Sequence, residues 1–232
     1  MSPDAFQRFT FVIVNYNGGE MLVDCVRSVR AALVPAAQIV VVDNGSRDDS
    51  MARLGAAVPG CVGIAMGCNA GFARAVNRGL AQVTTEFAIL LNNDARMAPN
   101  ACDALADAFD AHPRAAFLGG RLFYEDGRLQ NAVAAFPRLY AEFLPRALLR
   151  ALWPARYQGR PTGNAPLKVE SIIGALFAVR MEAVRAFGAL DEDFFFFLEE
   201  TEWCHRATAR GWEVWHIPAA QAFHAQGATA KK

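Results

Sequence analysis

Residues 9–46 read FTFVIVNYNGGEMLVDCVRSVRAALVPAAQIVVVDNGS, and this stretch decides the fold class. Two apolar runs, Phe9–Asn15 and Gln38–Val42, are rich in β-branched and aromatic residues. Between them, Gly18–Leu33 carries apolar residues at helical spacing. Continuous apolar runs are typical of strands buried on both faces, and strands that alternate with helices are typical of a parallel sheet. The stretch therefore predicts a strand, a helix and a second, parallel strand.

The same alternation continues to about residue 113. Strands are predicted at Val62–Ala65 and Phe87–Leu91, and helices at Met51–Ala57, Gly71–Val83 and Asn100–Ala111. Helices that alternate with buried strands cover both faces of a sheet. The pattern predicts the α/β class, with a mostly parallel central sheet and helices on both faces.

From residue 114 onward the pattern is irregular. Strands are predicted at Ala116–Tyr124, Ser171–Arg180 and Glu213–Ile217, and helices at Met181–Phe187 and within Phe194–Ala209. No internal repeat or low-complexity linker separates this part from the first. We therefore expect a single domain over residues 1–232, with a mixed, irregular C-terminal half.

The composition narrows the function classes. The chain has 232 residues, of which 53% are hydrophobic and 20% charged, and its formal net charge is zero, so no global field would recruit nucleic acid. Its five cysteines form no CxxC pair, which is typical of reduced thiols in the cytoplasm. No signal peptide is recognisable, and no apolar run reaches the ~18–20 residues of a spanning helix. These features predict a cytoplasmic protein.

Polar clusters follow four of the predicted strands. They lie at Asn15–Asn17, Asp43–Ser46, Asn69–Phe72 and Asn92–Asp94. One such cluster would be an ordinary turn, because Asn, Asp and Gly are common turn residues. Ligands of open parallel sheets bind at the carboxyl ends of the strands, and four clusters there predict a continuous polar groove.

The order and spacing of several strings carry a family resemblance. VIVNYNGG, IVVVDNGSRDDS, NAGFARAVNRG, LLNNDA and the later IIGALFAVRMEAVRAFGALDEDFFFFLEETEWCHRA resemble the inverting family-2 glycosyltransferases of the glycosyltransferase A fold, in the rhamnosyltransferase-like branch. The resemblance extends from Phe9 to about Gly227. It implies transfer of a sugar from a dTDP- or UDP-sugar to an acceptor hydroxyl with inversion, in cell-surface polysaccharide or glycolipid synthesis. It also implies a nucleotide-sugar-binding half over residues 1–113 and an acceptor-binding, catalytic half over residues 114–232.

The resemblance implies a set of donor-binding residues at the strand ends. Asp43 matches an acid that hydrogen-bonds the pyrimidine base, and a carboxylate suits an imide N–H because it only accepts. Asn15 and Tyr16 match the loop that packs against the nucleoside. The residues that match the nucleotide cradle are Asn69, Gly71, Arg74 and Asn77.

The resemblance also implies a cation site. Asn92, Asn93 and Asp94 stand where the family carries an Asp-x-Asp motif for Mg²⁺ or Mn²⁺, which neutralises charge on the leaving diphosphate. Asn92 replaces the first acid, so we expect Asp94 to bind the metal and Asn92 and Asn93 to contact the donor. His224 matches a late histidine that reaches the metal or the diphosphate.

An acidic patch matches the catalytic motif of the family. Inverting transfer needs a base for the acceptor proton, and Glu200 aligns with that base, where relatives usually carry Asp; Glu199 is its catalytic neighbour. Glu202 shares a helical face with Glu199 and, with Gly174 and Ala175, matches the acceptor site. Alternatively, these acids only stabilise the positive end of a helix.

Residues 137–163 combine five arginines with leucine and aromatic residues. This composition suits an interfacial helix on anionic lipid, at the inner face of the cell membrane. An amphipathic helix packed on the sheet, or a dimer contact, explains it equally well. The acceptor implied by the family is a glycan or a lipid-linked glycan.

Two other classes of function predict different features. A Rossmann-type enzyme predicts a G-x-G-x-x-G turn after the first strand, and a nucleotidyltransferase predicts a Gly-rich basic loop there; neither fits residues 15–19. A non-enzyme that only binds the nucleotide sugar stays open, because Asn92 and Glu200 depart from the family pattern.

Overall fold

Strands and helices alternate through the first half of the computed structural model, which describes residues 5–157 and 159–225. A short 3₁₀ turn precedes the first strand, and another precedes the second. The elements are β1 (Phe9–Asn15), α1 (Gly19–Ala31), β2 (Ile39–Asp43), α2 (Ser50–Ala57), β3 (Val62–Ala65), α3 (Phe72–Leu80), β4 (Phe87–Leu91), β5 (Ala95–Met97) and α4 (Ala101–Ala111).

The second half contains shorter and less regular elements. They are β6 (Ala115–Phe123), β7 (Val133–Ala134), α5 (Leu139–Phe143), α6 (Arg146–Leu152), α7 (Pro154–Tyr157), β8 (Leu167–Lys168), β9 (Ser171–Ile172), β10 (Leu176–Arg180), α8 (Met181–Phe187), α9 (Glu199–Ala209) and β11 (Glu213–His224). Gly227, where the family resemblance ends, lies outside the described residues.

The main sheet has the strand order β3-β2-β1-β4-β10-β6-β11-β5, with β8 also paired to β11. Strands β1 to β4 are mutually parallel, as predicted. Strand β10 lies antiparallel between β4 and β6, and β5 lies antiparallel to β11. A second, two-stranded sheet pairs β7 with β9. The predicted α/β class with a mixed C-terminal half is confirmed.

Alternate residues of the parallel strands face two different helical layers. Val40 and Val42 of β2 pack with Ala75 of α3, whereas Ile39 and Val41 belong to the larger core on the other face. Helix α3 approaches the sheet closely because Gly79 carries no side chain. A Cβ at this position would lie 2.3 Å from a methyl carbon of Val12.

The prediction of one strand over Ser171–Arg180 was wrong. The chain forms β9 and β10 with a break at Ile173–Ala175, and the two strands belong to different sheets. An apolar run does not reveal such a break, because both strands are buried. The last strand is also longer than predicted: it continues beyond a register shift between Ile217 and Gln221 and ends at His224.

Residues 137–163 do not form one amphipathic helix. Their described part folds into the short helices α5, α6 and α7. The large apolar side chains exposed on them are Leu139, Phe143, Leu148 and Leu152, and Trp153 between α6 and α7 is exposed as well. Within residues 5–157 and 159–225, no helix combines the length and the apolar character that crossing a bilayer requires.

Candidate active site

The ends of β1, β2 and β4 lie side by side, and Asn15 joins them. Its side chain is 0% exposed, and its amide nitrogen donates to Asp43 Oδ1 (3.2 Å), Ser46 Oγ (3.0 Å) and Ser50 Oγ (2.8 Å). Its oxygen accepts a hydrogen bond from Asn93 Nδ2 (3.1 Å). Asn15 therefore orients Asp43 from below the surface of the groove, whereas the sequence had suggested a direct donor contact. Tyr16, the next residue, is exposed.

A residue that the sequence analysis did not single out holds the Asn69–Gly71 loop. The side chain of Asn44 donates to Asn69 Oδ1 (3.0 Å) and accepts from the main-chain N–H of Ala70 (2.9 Å). Gly71 has a φ of +92°, and a Cβ on it would lie 2.9 Å from the carbonyl oxygen of Phe195. The glycine thus allows the loop to pack against the segment that precedes α9.

Arg74 and Asn77 both contact that same segment. Asn77 donates to the Leu190 carbonyl (2.9 Å) and accepts from the Leu190 N–H (3.0 Å), which ties α3 to residues 190–192. Arg74 lies 3.7 Å from a carboxylate oxygen of Glu192 on the surface. A cavity of about 510 Å³ opens here, and its lining residues are Cys68, Asn69, Ala70, Arg74, Glu192, Asp193 and Phe195.

The pairing of β5 with β11 brings Asp94 and His224 together. His224 lies opposite Ala95, and its Nε2 is 3.2 Å from Asp94 Oδ1 and 3.3 Å from Asn92 Nδ2. The two residues are 8% and 7% exposed. Gln130, which no sequence motif marks, joins this pair: its Oε1 lies 3.0 Å from His224 Nδ1, and its amide nitrogen donates to the His224 carbonyl.

These atoms fit a divalent cation. One carboxylate oxygen and one imidazole nitrogen lie side by side, and both are common ligands of Mn²⁺-type ions. Within residues 5–157 and 159–225, no group of three or more His, Cys, Asp or Glu side chains forms a metal cluster. A cation here would therefore take its other ligands from elsewhere, such as a diphosphate and water.

A pair of acids lies at the start of α9. Glu199 is 2% exposed, and its Oε2 has no hydrogen-bond partner among the described residues. Burial, together with the charge of Glu199, raises the pKa of Glu200 to about 7. Burial also raises the pKa of Glu199. A carboxyl group with a pKa near 7 can take a proton at neutral pH.

Glycine at position 174 makes room for the Glu200 carboxylate. A Cβ on Gly174 would lie 2.0 Å from Glu200 Oε1. The main-chain carbonyl of the next residue, Ala175, accepts a hydrogen bond from the main-chain N–H of Asn92 (3.3 Å). The break between β9 and β10 therefore connects the acid pair to the Asn92–Asp94 end of β4.

Glu202 makes a different contact. Both of its carboxylate oxygens bind Arg206, at 2.9 and 2.7 Å. Arg206 also donates to the carbonyls of Phe187 and Ala189, so the pair fastens α9 to the end of α8. The structure thus brings Glu199, Glu200 and Gly174 together but leaves the Glu202 carboxylate in a contact of its own.

Known proteins that resemble this chain point to one family. Residues 10–188 match the family described as Glycosyl transferase family 2. The N-acetylglucosaminyl-diphospho-decaprenol L-rhamnosyltransferase of Mycobacterium tuberculosis is 27% identical over 229 residues, which cover 92% of this chain and 74% of that protein.

Two solved structures show the same fold. GalNAc-T7 with UDP, GalNAc and Mn²⁺ has a TM-score of 0.66 at 18% identity, and it covers 93% of this chain and 43% of that one. The mannosyltransferase PcManGT from Pyrobaculum calidifontis in complex with GDP-Man and Mn²⁺ has a TM-score of 0.63 at 18% identity. The match covers 94% of this chain and 56% of that one. This chain spans about half the length of these structures. The glycosyltransferase A fold is confirmed, and the chain belongs to glycosyl transferase family 2.

Proposed function

We propose that this chain transfers a hexosyl or rhamnosyl group from a dTDP- or UDP-sugar to an acceptor hydroxyl, with inversion. The observation that carries the proposal is the Glu200 carboxyl group, whose pKa is about 7 and which lies against Gly174, next to the end of β4. A base at this edge of the sheet faces the groove in which a donor would lie. The curated relative, named as a rhamnosyltransferase, supports the same class of reaction.

The donor is bound by the half over residues 1–113. Asp43, held by Asn15, accepts the imide N–H of a pyrimidine base, and Tyr16 packs against the nucleoside. The loop at Asn69 and Gly71 follows the nucleotide, and Arg74 exchanges its weak surface contact with Glu192 for a phosphate. Asn92 and Asn93 contact the sugar diphosphate from the end of β4.

Asp94 and His224 hold Mg²⁺ or Mn²⁺ in this proposal. When bound, the cation neutralises the charge that develops on the diphosphate leaving group. Both similar solved structures contain Mn²⁺, which supports the use of a divalent ion. The adjacent Asp94 oxygen and His224 nitrogen, 3.2 Å apart, support the identity of the two ligands.

A side chain of the protein removes the proton of the acceptor hydroxyl in the transfer step. The acceptor oxygen forms a bond to the anomeric carbon while the bond from that carbon to the diphosphate oxygen breaks. The acceptor proton passes to the Glu200 carboxylate, and the nucleoside diphosphate leaves with the electron pair of the broken bond. Glu199 raises the pKa of Glu200 and so makes it a stronger base.

The acceptor is bound by the half over residues 114–232, and we propose a lipid-linked glycan. A largely apolar cavity of about 710 Å³ reaches α9 at Thr208, about 13 Å along the helix from Glu199 at 1.5 Å per residue. A sugar and a diphosphate would span a distance of this order between the reacting hydroxyl and the lipid. The named acceptor of the curated relative is also lipid-linked.

The surface around this cavity suits a membrane that contains anionic lipid. Residues 137–163 contain five arginines and one acid, Glu142, although the whole chain is neutral. The exposed leucines and aromatics of α5 and α6 lie within this segment. Basic and apolar side chains together favour peripheral binding at an anionic interface.

Vesicle flotation tests the membrane contact. The substitutions Leu139→Ser and Phe143→Ser are compared with Leu33→Ser, an exposed leucine outside the segment. The double variant should stay unbound to phosphatidylglycerol vesicles, whereas wild type and Leu33→Ser float with them. Equal recovery of all three in the unbound fraction would contradict the contact without touching the transfer reaction.

Release of nucleoside diphosphate tests the transfer reaction. Purified protein is incubated with Mn²⁺ or Mg²⁺, a panel of UDP-, dTDP- and GDP-sugars and a lipid extract as a source of acceptor. Metal-dependent release from one donor, lost in Asp94→Ala and in Glu200→Gln, is the expected result. Donor binding without release by any form would favour the alternative, a catalytically inactive nucleotide-sugar-binding protein. Asn92, which stands where the family carries an acid, supports this alternative.

A further inference from the structure

Gln130 contacts His224 at two points. It is 3% exposed; its Oε1 lies 3.0 Å from the ring nitrogen Nδ1, and its amide nitrogen donates to the main-chain carbonyl of the same histidine. The amide nitrogen also donates to the Phe123 carbonyl (3.3 Å). Because both neighbours of the amide nitrogen are carbonyls, the side chain can only be oriented with Oε1 toward the ring.

This orientation decides which ring nitrogen carries the proton. An amide oxygen only accepts, so the Nδ1 atom of His224 must be the donor. On the other side of the ring, Nε2 lies 3.3 Å from the amide nitrogen of Asn92, which only donates. Nε2 therefore carries no proton: its lone pair accepts from Asn92, and the atom also faces the Asp94 carboxylate at 3.2 Å.

We infer that Gln130 is a positioning residue that holds His224 in the Nδ1–H tautomer, with Nε2 presented as a ligand beside Asp94. The inference rests on the proposed cation site. A lone pair and a carboxylate oxygen at this distance repel each other, and a cation bound by both would remove this repulsion. A metal-bound histidine commonly donates its other ring N–H to an oxygen that sets its orientation and basicity.

Mn²⁺ binding, measured by the electron paramagnetic resonance of the free ion with and without UDP, tests this role. Gln130→Leu removes both contacts and should weaken Mn²⁺ binding by about 10- to 100-fold. Gln130→Glu retains an acceptor for Nδ1–H but loses the donor to the two carbonyls, so it should bind about tenfold more tightly than Gln130→Leu. Gln38→Leu is the matched control, because its amide donates only to the Gln7 carbonyl, away from the site.

The pair of variants separates positioning from a merely structural role. If Gln130 only tied the two carbonyls together, Gln130→Glu would lose as much Mn²⁺ affinity as Gln130→Leu, and the inference would be overturned. Thermal unfolding in EDTA checks that each variant folds without metal. Should both variants fail to fold, the tautomer in the wild type decides the matter.

That tautomer is read directly from the ¹⁵N chemical shifts of the His224 ring in metal-free wild-type protein. A protonated Nδ1 with an unprotonated Nε2 is expected, and a protonated Nε2 with a bare Nδ1 overturns the inference. The outcomes also separate the two proposals. Absence of Mn²⁺ binding by the wild type in the presence of UDP contradicts the cation site, whereas equal binding by wild type and Gln130→Leu contradicts only the role of Gln130.

Discussion

The Cα of Gly174 lies directly against the carboxylate of Glu200, with space for a hydrogen and no more. A Cβ there would come within 2.0 Å of Oε1 and 3.0 Å of the carboxyl carbon. Glu200 sits in the first turn of α9, which is packed through the buried Trp203 and Cys204. The backbone of the helix therefore cannot retreat, and only the Glu200 side chain can yield.

Gly174→Ala should accordingly lower kcat/KM by about 100-fold or more, because a shift of about 1 Å in a reacting group has an effect of that size. Gly55→Ala in α2 is the control, since a Cβ there meets nothing within 4 Å. Donor binding by calorimetry should be nearly unchanged in both variants. Normal turnover by Gly174→Ala would contradict the role of Glu200 as the base in the reaction.

The rate should depend on pH through the Glu200 carboxyl group. Its pKa is about 7, and only the deprotonated form takes a proton, so kcat/KM should rise with pH up to about 7 and then level off. Glu199→Gln removes the neighbouring charge that raises this pKa and should move the midpoint to lower pH. Glu200→Gln should lower the rate by about 100- to 10,000-fold on the plateau above pH 7, and this difference should shrink as the wild-type rate falls at lower pH. A midpoint that Glu199→Gln leaves unchanged would contradict the coupling.

The same carboxyl group should reduce stability at neutral pH. Its folded-state pKa of about 7 lies above the ordinary value of 4.5, so the folded protein holds this proton more tightly than the unfolded chain. The stabilisation of the folded state that results is fully present below pH 4.5 and is lost as the pH rises through 7. Glu200→Gln should therefore raise Tm relative to wild type at pH 8 and much less at pH 5. Glu202→Gln, two residues along the same helix, breaks the ion pair with Arg206 and should lower Tm at both pH values.

His216 should make the fold sensitive to acid. The ring is 0% exposed, and burial and the charge of Arg121 lower its pKa to about 4 from 6.5. The unfolded chain binds this proton first, so stability should fall as the pH decreases from about 7 to about 4, by about 3 kcal/mol in total. In urea unfolding, the free energy of unfolding of His216→Leu should decrease less across this pH interval than that of the wild type. The exposed His205, replaced by Gln, should leave the loss unchanged.

Restoring the missing acid should strengthen the cation site. In Asn92→Asp, a second carboxylate would lie close to His224 Nε2, where the Asn92 amide nitrogen is now 3.3 Å away. Because cation affinity rises with the number of charged oxygen ligands, Mn²⁺ binding should tighten by roughly tenfold. Asp94→Asn should weaken it. Unchanged Mn²⁺ affinity in both variants, measured by calorimetry, would mean that the ion binds elsewhere.

Much of the groove follows from local pattern. The runs that form β1, β2 and β4 are apolar at nearly every position before their ends, and strands of that kind form parallel sheets whose polar ends meet at one edge. The positions of Asp43 and Asn93 at that edge could therefore be predicted. That Asn15 would be buried beneath them could not, because its burial depends on contacts from Ser46 and Ser50, which lie on a different strand end and helix.

The family resemblance is confirmed even where the secondary structure around its motifs differs from the prediction. Glu199 and Glu200 were expected near a helix start, and α9 begins at Glu199. Gly174 was expected beside an acceptor, but nothing in its neighbourhood along the chain indicated Glu200 as its contact. Gln130 carried no signal at all, because it lies in an irregular segment and its partner is 94 residues away.

The amino-acid sequence by itself determined the alternation of strands and helices, the polar strand ends and the family, because these depend on residues close together along the chain. Only the tertiary structure decided how distant residues meet. The antiparallel pairing of β5 with β11 brings His224 to Asp94, and the break between β9 and β10 brings Gly174 to Glu200. Such pairings arise from the packing of the whole sheet, whose free energy is shared among many residues and is not encoded in any one segment.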